Sequence, residues 1–187
     1  MINDLRRFRL DPREDWKELD LKEILDQAIH DFERNLEIED SPLQVNALPD
    51  ERVMVQGNHI ELSQVFLNLF DNARKAIAGQ NDGKIEVSME EQGDVIRIGI
   101  SDDGPGIEPE IIKNLDNLFY SAEDAKEGPT SRMLTGGGLG LPTCKRVLAT
   151  HEANLEIQST PDLGTRVLIE FPRNLPAQIT TDEPSAD

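Results

Sequence analysis

An α/β fold of the α+β type is predicted for this 187-residue chain by three features of its sequence. Amphipathic helical stretches alternate with pairs of short strands. The strand pairs follow in hairpin order rather than as strand–helix–strand repeats. A stretch rich in Gly, Pro, Ser and Glu, too long for an ordinary connection, precedes the last helix. Hydrophobic residues at 37% and charged residues at 30% supply a core and exclude a wholly disordered or collagen-like chain. The length fits one domain plus a short extra segment.

Each element has a local reason. In INDLRRFRL, Ile2, Leu5 and Phe8 stand at helical spacing, and Pro12 ends that helix stub in an acidic linker. Asp20 is placed as N-cap of a second helix, DLKEILDQAIHDFERNL, with Leu21, Ile24, Leu25, Ala28, Ile29 and Phe32 on one apolar face. LQVNAL and RVMVQG read as strands, and NHIELSQVFLNLFDNARKAIA as a long helix capped by Asn58. KIEVSMEE and DVIRIGISD form a hairpin around EQGD. LGLPTCKRVLATHE is a helix with Pro142 in its first turn, and ANLEIQST with GTRVLIEFP close the fold as a second hairpin. The tail RNLPAQITTDEPSAD has no periodicity.

Charge narrows the partners. Lys and Arg number 19 against 37 Asp and Glu, a net charge of −18, which disfavours nucleic acid and anionic membrane surfaces. A nucleotide remains compatible if backbone N–H groups, basic side chains and a divalent cation gather locally. Cys144 is the single cysteine, so no intrachain disulfide forms, and no apolar run reaches the roughly 20 residues that span a bilayer. The start lacks the apolar core of a signal peptide, and a cytoplasmic location is expected, with a membrane anchor elsewhere in a longer parent still compatible.

Three segments carry chemistry. In QVFLNLFDNARKA, Asn68 and Asn72 stand four apart and Lys75 three further on, so all three project from one helix face. Amide oxygens suit magnesium, which completes its octahedron with water and phosphates, and a lysine meets phosphate as a point charge. The plain alternative is an exposed polar stripe. Asp102-Asp103-Gly104-Pro105-Gly106-Ile107 follows a strand directly; its carboxylate suits an exocyclic amine such as that of adenine, although a tight turn uses the same residues. Thr135-Gly136-Gly137-Gly138-Leu139-Gly140-Leu141 leads into a helix whose free N–H groups suit phosphate. No strand precedes these glycines and no Lys-Ser or Lys-Thr pair follows them, so neither the dinucleotide fingerprint nor the Walker A pattern applies.

Taken in order, these segments resemble the ATP-binding domain of two-component sensor histidine kinases, within the superfamily shared with gyrase-type and heat-shock-chaperone ATPases. The resemblance covers residues 20–172: an asparagine box in QVFLNLFDNARKAI, a first glycine box in DDGPGI, a phenylalanine box in NLFYS, a second glycine box in TGGGLGL, and a closing Gly164-Thr165. It implies a two-layer sandwich, a mixed, mainly antiparallel sheet with helices on one face, and a mobile ATP lid. It implies ATP and Mg2+ as cofactors. Asn72 and Asn68 would hold the metal and Lys75 a phosphate. Asp102 would read the adenine amine in a pocket shaped by Gly104 and Gly106, with Thr165 joining the water network beside it and Phe119 of the phenylalanine box also binding the nucleotide, while Gly136, Gly138, Leu139 and Gly140 wrap the phosphates. Arg132, and with less support Lys126, would be lid cations reaching the γ-phosphate.

The same resemblance assigns residues 1–19 to the end of a dimerisation and phosphoacceptor helix with its linker, 20–172 to the kinase domain and 173–187 to an acidic flexible tail, and is nearest to the nitrogen-regulation branch. It implies a phosphoacceptor domain and a response regulator as partners, a monomeric fragment and a homodimeric parent. Of the three histidines, His30 is expected to be structural or on the surface, His59 solvent-exposed, and His151 a cation near the end of a helix, where it meets the dipole. None is read as the phosphoacceptor. His151-Glu152-Ala153 replaces the His-Gly-Gly common in relatives, a change expected to alter a turn and no nucleotide contact. Asn68 stands where ATPases of the superfamily carry a catalytic glutamate, so water activation should be poor. The rival readings are an ATPase or anti-sigma-factor-type serine kinase of the same superfamily, tested by hydrolysis without a partner histidine, and a degenerate nucleotide-binding interaction module.

Overall fold

A computed structural model describes residues 15–36, 41–113 and 140–173. The helix stub expected over residues 2–8 and the tail beyond residue 173 lie outside the described residues. Among the described residues the elements include, in order, β1 (Lys17–Asp20), α1 (Leu21–Asn35), β2 (Leu43–Ala47), β3 (Met54–Gly57), α2 (His59–Ala76), β4 (Ile85–Gln92), β5 (Val95–Asp102), α3 (Gly140–Thr150), β6 (Asn154–Thr160) and β7 (Gly164–Pro172).

Five strands form one sheet in the order β2-β4-β5-β7-β6, with β2 parallel to β4 and every other pair antiparallel. The mixed, mainly antiparallel sandwich expected from the sequence is therefore present. Alternation sets its two faces. Ile85, Val87 and Met89 of β4, Ile96, Ile98 and Ile100 of β5, and Ile169 and Phe171 of β7 are buried beneath the helices. The other face is polar, and Arg97 Nε donates to Glu170 at 3.0 Å across a directly opposed pair.

The helices carry complementary faces. Asp20 caps α1 by accepting from Lys22 N–H at 3.1 Å, and the same oxygen accepts from Val53 N–H at 3.2 Å, so one carboxylate joins the helix start to a distant segment. The six buried residues of α1 are Leu21, Ile24, Leu25, Ala28, Ile29 and Phe32, the face read from the sequence. Asn58 caps α2, accepting from Ile60 N–H at 2.9 Å and Glu61 N–H at 3.3 Å. Phe66 and Phe70 of α2 are fully buried, each contributing about 2–3 kcal/mol by leaving water. Phe70 also meets Phe32 of α1 with ring centroids 5.4 Å apart.

Two details differ from the sequence reading. Residues 17–19, read as linker, are strand β1, which pairs antiparallel with β3 from Lys17–Gly57 to Asp20–Met54 and forms a separate two-stranded ribbon. Four residues of mixed charge give no periodic signal, and the partner strand is remote in sequence. His151, expected as a cation, is buried at 4% exposure and held as a neutral ring. Its Nδ1 lies 2.8 Å from the Val147 carbonyl oxygen, which can only accept, while Nε2 accepts from Asn58 N–H at 3.0 Å. One ring proton, on Nδ1, satisfies both contacts.

His151 closes a junction among elements distant in sequence. Trp16 stacks on it at 4.7 Å between centroids and 19° between planes, and the Glu61 carboxylate approaches Nε2 at 4.0 Å. A Cβ on Gly57 would stand 2.6 Å from the ring, so β3 can pass only as glycine. Glu152 takes φ 59°, in the left-handed region that favours glycine, and turns the chain into β6. Replacing His151 by alanine removes the stacking partner and strands the Asn58 N–H. Urea unfolding is expected to show a loss of about 2–4 kcal/mol, and a loss below about 1 kcal/mol would refute this account of the junction.

Candidate functional site

The site is built at one end of the sheet. Ile85, Asp102, Thr165 and Ser159 stand directly opposite one another across β4, β5, β7 and β6, a single row on the helix-covered face. Three of the four are polar where the strands elsewhere bury isoleucine. The row lies at the C-terminal end of β5, which releases the first glycine loop.

Asp102 Oδ1 accepts from Gly104 N–H at 3.1 Å, and the Thr165 backbone also donates to the carboxylate. Burial outweighs both, and the adjacent Asp103 charge acts in the same direction as burial, so the Asp102 carboxyl is pushed up to about 6. Asp103 has a different task. Its Oδ1 accepts from Lys84 N–H at 2.8 Å and its carbonyl from Gln80 Nε2 at 3.3 Å, fixing the start of β4. The paired aspartates thus divide into one that faces the site and one that holds a loop.

Glycines let this loop pack. A Cβ on Gly104 would lie 2.9 Å from Ala76 Cβ and 2.8 Å from Asp102 Oδ1. Gly106 takes φ 70°, and a side chain there would collide with the Thr160 carbonyl. Pro105 O accepts from Asp162 N–H at 2.8 Å and Ile107 N–H donates to Ser159 Oγ at 2.8 Å, tying the loop to the β6–β7 hairpin.

Ala76 places the asparagine box. It lies four residues after Asn72 and eight after Asn68, so the three share one face of α2, and Ala76 is the one placed against the glycine loop. Asn68 Oδ1 accepts from Gln64 Nε2 at 3.0 Å. Lys75, expected on a phosphate, has Nζ 2.6 Å from Asp71 Oδ2, and Arg74 pairs with the other oxygen at 2.7 Å. Burial raises the Asp71 carboxyl, but these two cations more than offset it and hold it below the usual range. To reach a phosphate, Lys75 exchanges one anionic oxygen for another.

The third helix runs antiparallel to α2. Cys144 Sγ lies 3.8 Å from the Val65 carbonyl, and seven residues on His151 meets Asn58, so contact moves back along α2 as α3 advances. The start of α3 is thereby directed toward the half of α2 that carries Asn68 and Asn72. Burial pushes the Cys144 thiol up to about 11, with a hydrogen bond from Asn68 acting the other way, so it is no nucleophile. Of the residues expected on the second glycine box, Gly140 opens α3. Phe119, Lys126, Arg132, Gly136, Gly138 and Leu139 lie outside the described residues.

The structure thus brings Asp102, Gly104, Gly106 and Thr165 to one end of the sheet, against Ala76 of the helix whose face carries Asn68 and Asn72. Sequence reasoning missed Ser159, which carried only a strand signal and acquires its role through the hairpin register, and Asp71, hidden inside a motif read for its amides. His30 and His59 are exposed, as expected. Among the described residues no helix is long and apolar enough to cross a membrane, and no group of three or more His, Cys, Asp or Glu is placed to hold a metal. Two amide oxygens suit a cation held mainly by phosphate and water.

Comparison with known proteins agrees with this geometry. A profile described as histidine kinase-, DNA gyrase B-, and HSP90-like ATPase matches residues 57–175. The phosphate regulon sensor protein PhoR of Pseudomonas aeruginosa is 33% identical over 134 residues, covering 72% of this chain and 28% of the relative. Sporulation kinase C of Bacillus subtilis is 28% identical over 152 residues, covering 81% of this chain and 33% of the relative. The chain therefore spans about a third or less of these curated relatives. The fold matches the solved catalytic domain of histidine kinase ThkA with a TM-score of 0.64 at 21% identity, covering 84% of this chain and 95% of that one.

Proposed function

The chain belongs to the family of histidine kinase-, DNA gyrase B- and HSP90-like ATPases, and on that premise we propose that it is the ATP-binding catalytic domain of a two-component sensor histidine kinase. It would transfer the ATP γ-phosphate to a histidine on a phosphoacceptor domain, from which a response regulator receives it. The parent would be a homodimer acting in the cytoplasm, with this domain monomeric. The observation that carries the reading is the half-buried Asp102 carboxylate beside a glycine loop packed beneath the asparagine helix.

The residues divide the work. Asp102 accepts a hydrogen bond from the adenine amine, and its partial burial excludes competing water. Asn72, with Asn68 beside it, would hold Mg2+ through amide oxygens, and the ion when bound neutralises phosphate charge. Lys75 supplies a positive charge that Asp71 keeps poised near the helix face. Asn68 is an amide where a base would activate water, so hydrolysis is slow and transfer to a neutral imidazole, already carrying its lone pair, is favoured. His151 is unsuited as acceptor, because both ring nitrogens are engaged in a buried junction.

Calorimetric titration of a non-hydrolysable ATP analogue with magnesium tests the site. Micromolar binding, about −8 kcal/mol, is expected to weaken at least tenfold in Asp102→Ala and in Asn72→Ala. Unchanged affinity in both variants would sink the assignment. Radiolabel from ATP should pass to an added phosphoacceptor domain faster than to water.

A further inference from the structure

The hydroxyl of Ser159 has a fully determined hydrogen-bond pattern. Its Oγ accepts from Ile107 N–H at 2.8 Å, contacts the Gly164 carbonyl oxygen at 2.7 Å and contacts Thr165 Oγ1 at 2.9 Å. A hydroxyl owns one proton and two lone pairs. The Gly164 carbonyl can only accept, so the Ser159 proton goes there. The Ile107 N–H can only donate, so it occupies one lone pair. The remaining lone pair can only accept, and Thr165 must donate its proton to it.

That assignment fixes the polarity of the row. Thr165 stands between Ser159 and Asp102 and directly opposite both. With its proton turned toward Ser159, Thr165 offers only lone pairs elsewhere. An ionised Asp102 likewise only accepts. Two neighbouring side chains therefore present acceptors and no donor.

We propose that Ser159 is a specificity-determining positioning residue: by holding the Thr165 proton, it makes the site select a purine with an amino group at position 6 and reject one with an oxo group there. The inference rests on the nucleotide reading above and adds to it a residue and a direction of discrimination. At position 6 an amino group brings donors to the acceptor pair, whereas an oxo group brings a third acceptor and leaves the oxo purine's edge donor on N1. Freed from Ser159, the Thr165 hydroxyl rotates and donates to the oxo group, and discrimination falls.

The test is the ratio of ATP to ITP affinity, measured on the full chain with magnesium by calorimetry. The unaltered chain is expected to favour ATP by more than about tenfold. Ser159→Ala should lower that ratio about fivefold, whereas Ser159→Thr, which keeps the hydroxyl, should preserve it. In a Thr165→Val background, Ser159→Ala should no longer change the ratio. Ser159→Cys, close in size and a weak hydrogen-bonding group, should show the same fall if the alanine variant does not fold. A merely structural Ser159 would weaken both nucleotides equally and leave the ratio unchanged, and that result overturns the proposal. Equal affinity of the unaltered chain for ATP and ITP overturns it while leaving nucleotide binding intact. Binding of neither nucleotide removes the underlying reading as well.

Discussion

Nucleotide affinity is expected to be nearly constant above about pH 7, to halve near pH 6 and to drop about tenfold by pH 5, because binding needs the Asp102 carboxylate ionised. Burial is the leading cause that lifts this carboxyl from the ordinary aspartate value of 3.8 to about 6. A bound amine donor favours the charged form and lowers the value again, so binding near pH 6 releases a proton. Calorimetry in buffers of different ionisation enthalpy reads that proton directly. Because phosphate groups also titrate in this range, Asp102→Asn serves as the reference. A parallel pH profile in the variant would refute the role of Asp102.

The same shift has a stability consequence of the opposite sign. A carboxyl raised in the folded state favours folding while it is protonated in both states, below about pH 4, and that contribution is lost as the pH rises through about 6. At neutral pH the charged Asp102 therefore destabilises the folded domain. Asp102→Asn should melt a few degrees higher, on the order of 3 °C, at about pH 7.5, with the gain disappearing near pH 4. It should also bind ATP at least tenfold more weakly, since one acceptor position becomes an NH2 group. Function is held here against stability, as the depth of the carboxylate requires.

Gly164→Ala is the substitution expected to be most disruptive. Gly164 takes φ 92°, and a Cβ there would fall within overlap of the Asp102 carbonyl oxygen and 3.0 Å from Asp103 Cα. These neighbours are backbone, so relief requires parting β5 from β7 where the polar row lies. A loss of about 3 kcal/mol or more, with nucleotide binding abolished, is expected. Gly93 is the matched control. It takes φ 62° with nothing within 4 Å of a built Cβ, so Gly93→Ala should cost only the left-handed backbone penalty, about 1 kcal/mol. Similar losses in the two variants, measured by urea unfolding, would show that φ alone sets the requirement at Gly164.

Local signals made most of the fold legible. The six buried positions of α1 follow helical spacing, Asp20 and Asn58 act as the caps their types suggest, and Gly93 turns the β4–β5 hairpin with positive φ. The placement of the candidate residues was legible where spacing sets it, as for Asn68 and Asn72 on one helix face and Asp102 at a strand end. It was illegible where a role depends on what stands opposite. Ser159 is an ordinary strand residue until β7 places Thr165 beside it. His151 reads as a cation at a helix end until α2 brings the Asn58 N–H to its second nitrogen. Strand β1 is invisible because its partner is supplied by a segment beyond the first helix.

The ribbon of β1 and β3 gives the molecule two levels of cooperativity. It shares no strand pairing with the five-stranded sheet, and a two-stranded ribbon has little stability of its own. Besides the buried Val55 and the packing of Leu19 on the core, its attachments among the described residues include the Asp20 contacts with Val53, the passage of Gly57 beneath His151, and the stack of Trp16 on that ring. Releasing β1 would therefore cost far less than unfolding β5, whose apolar face is buried throughout. Trp16 is the only tryptophan, so its emission reports this detachment separately from loss of helix. Mechanical load on the chain before Trp16 meets a strap that can peel away, and the main sheet is reached only after it has gone.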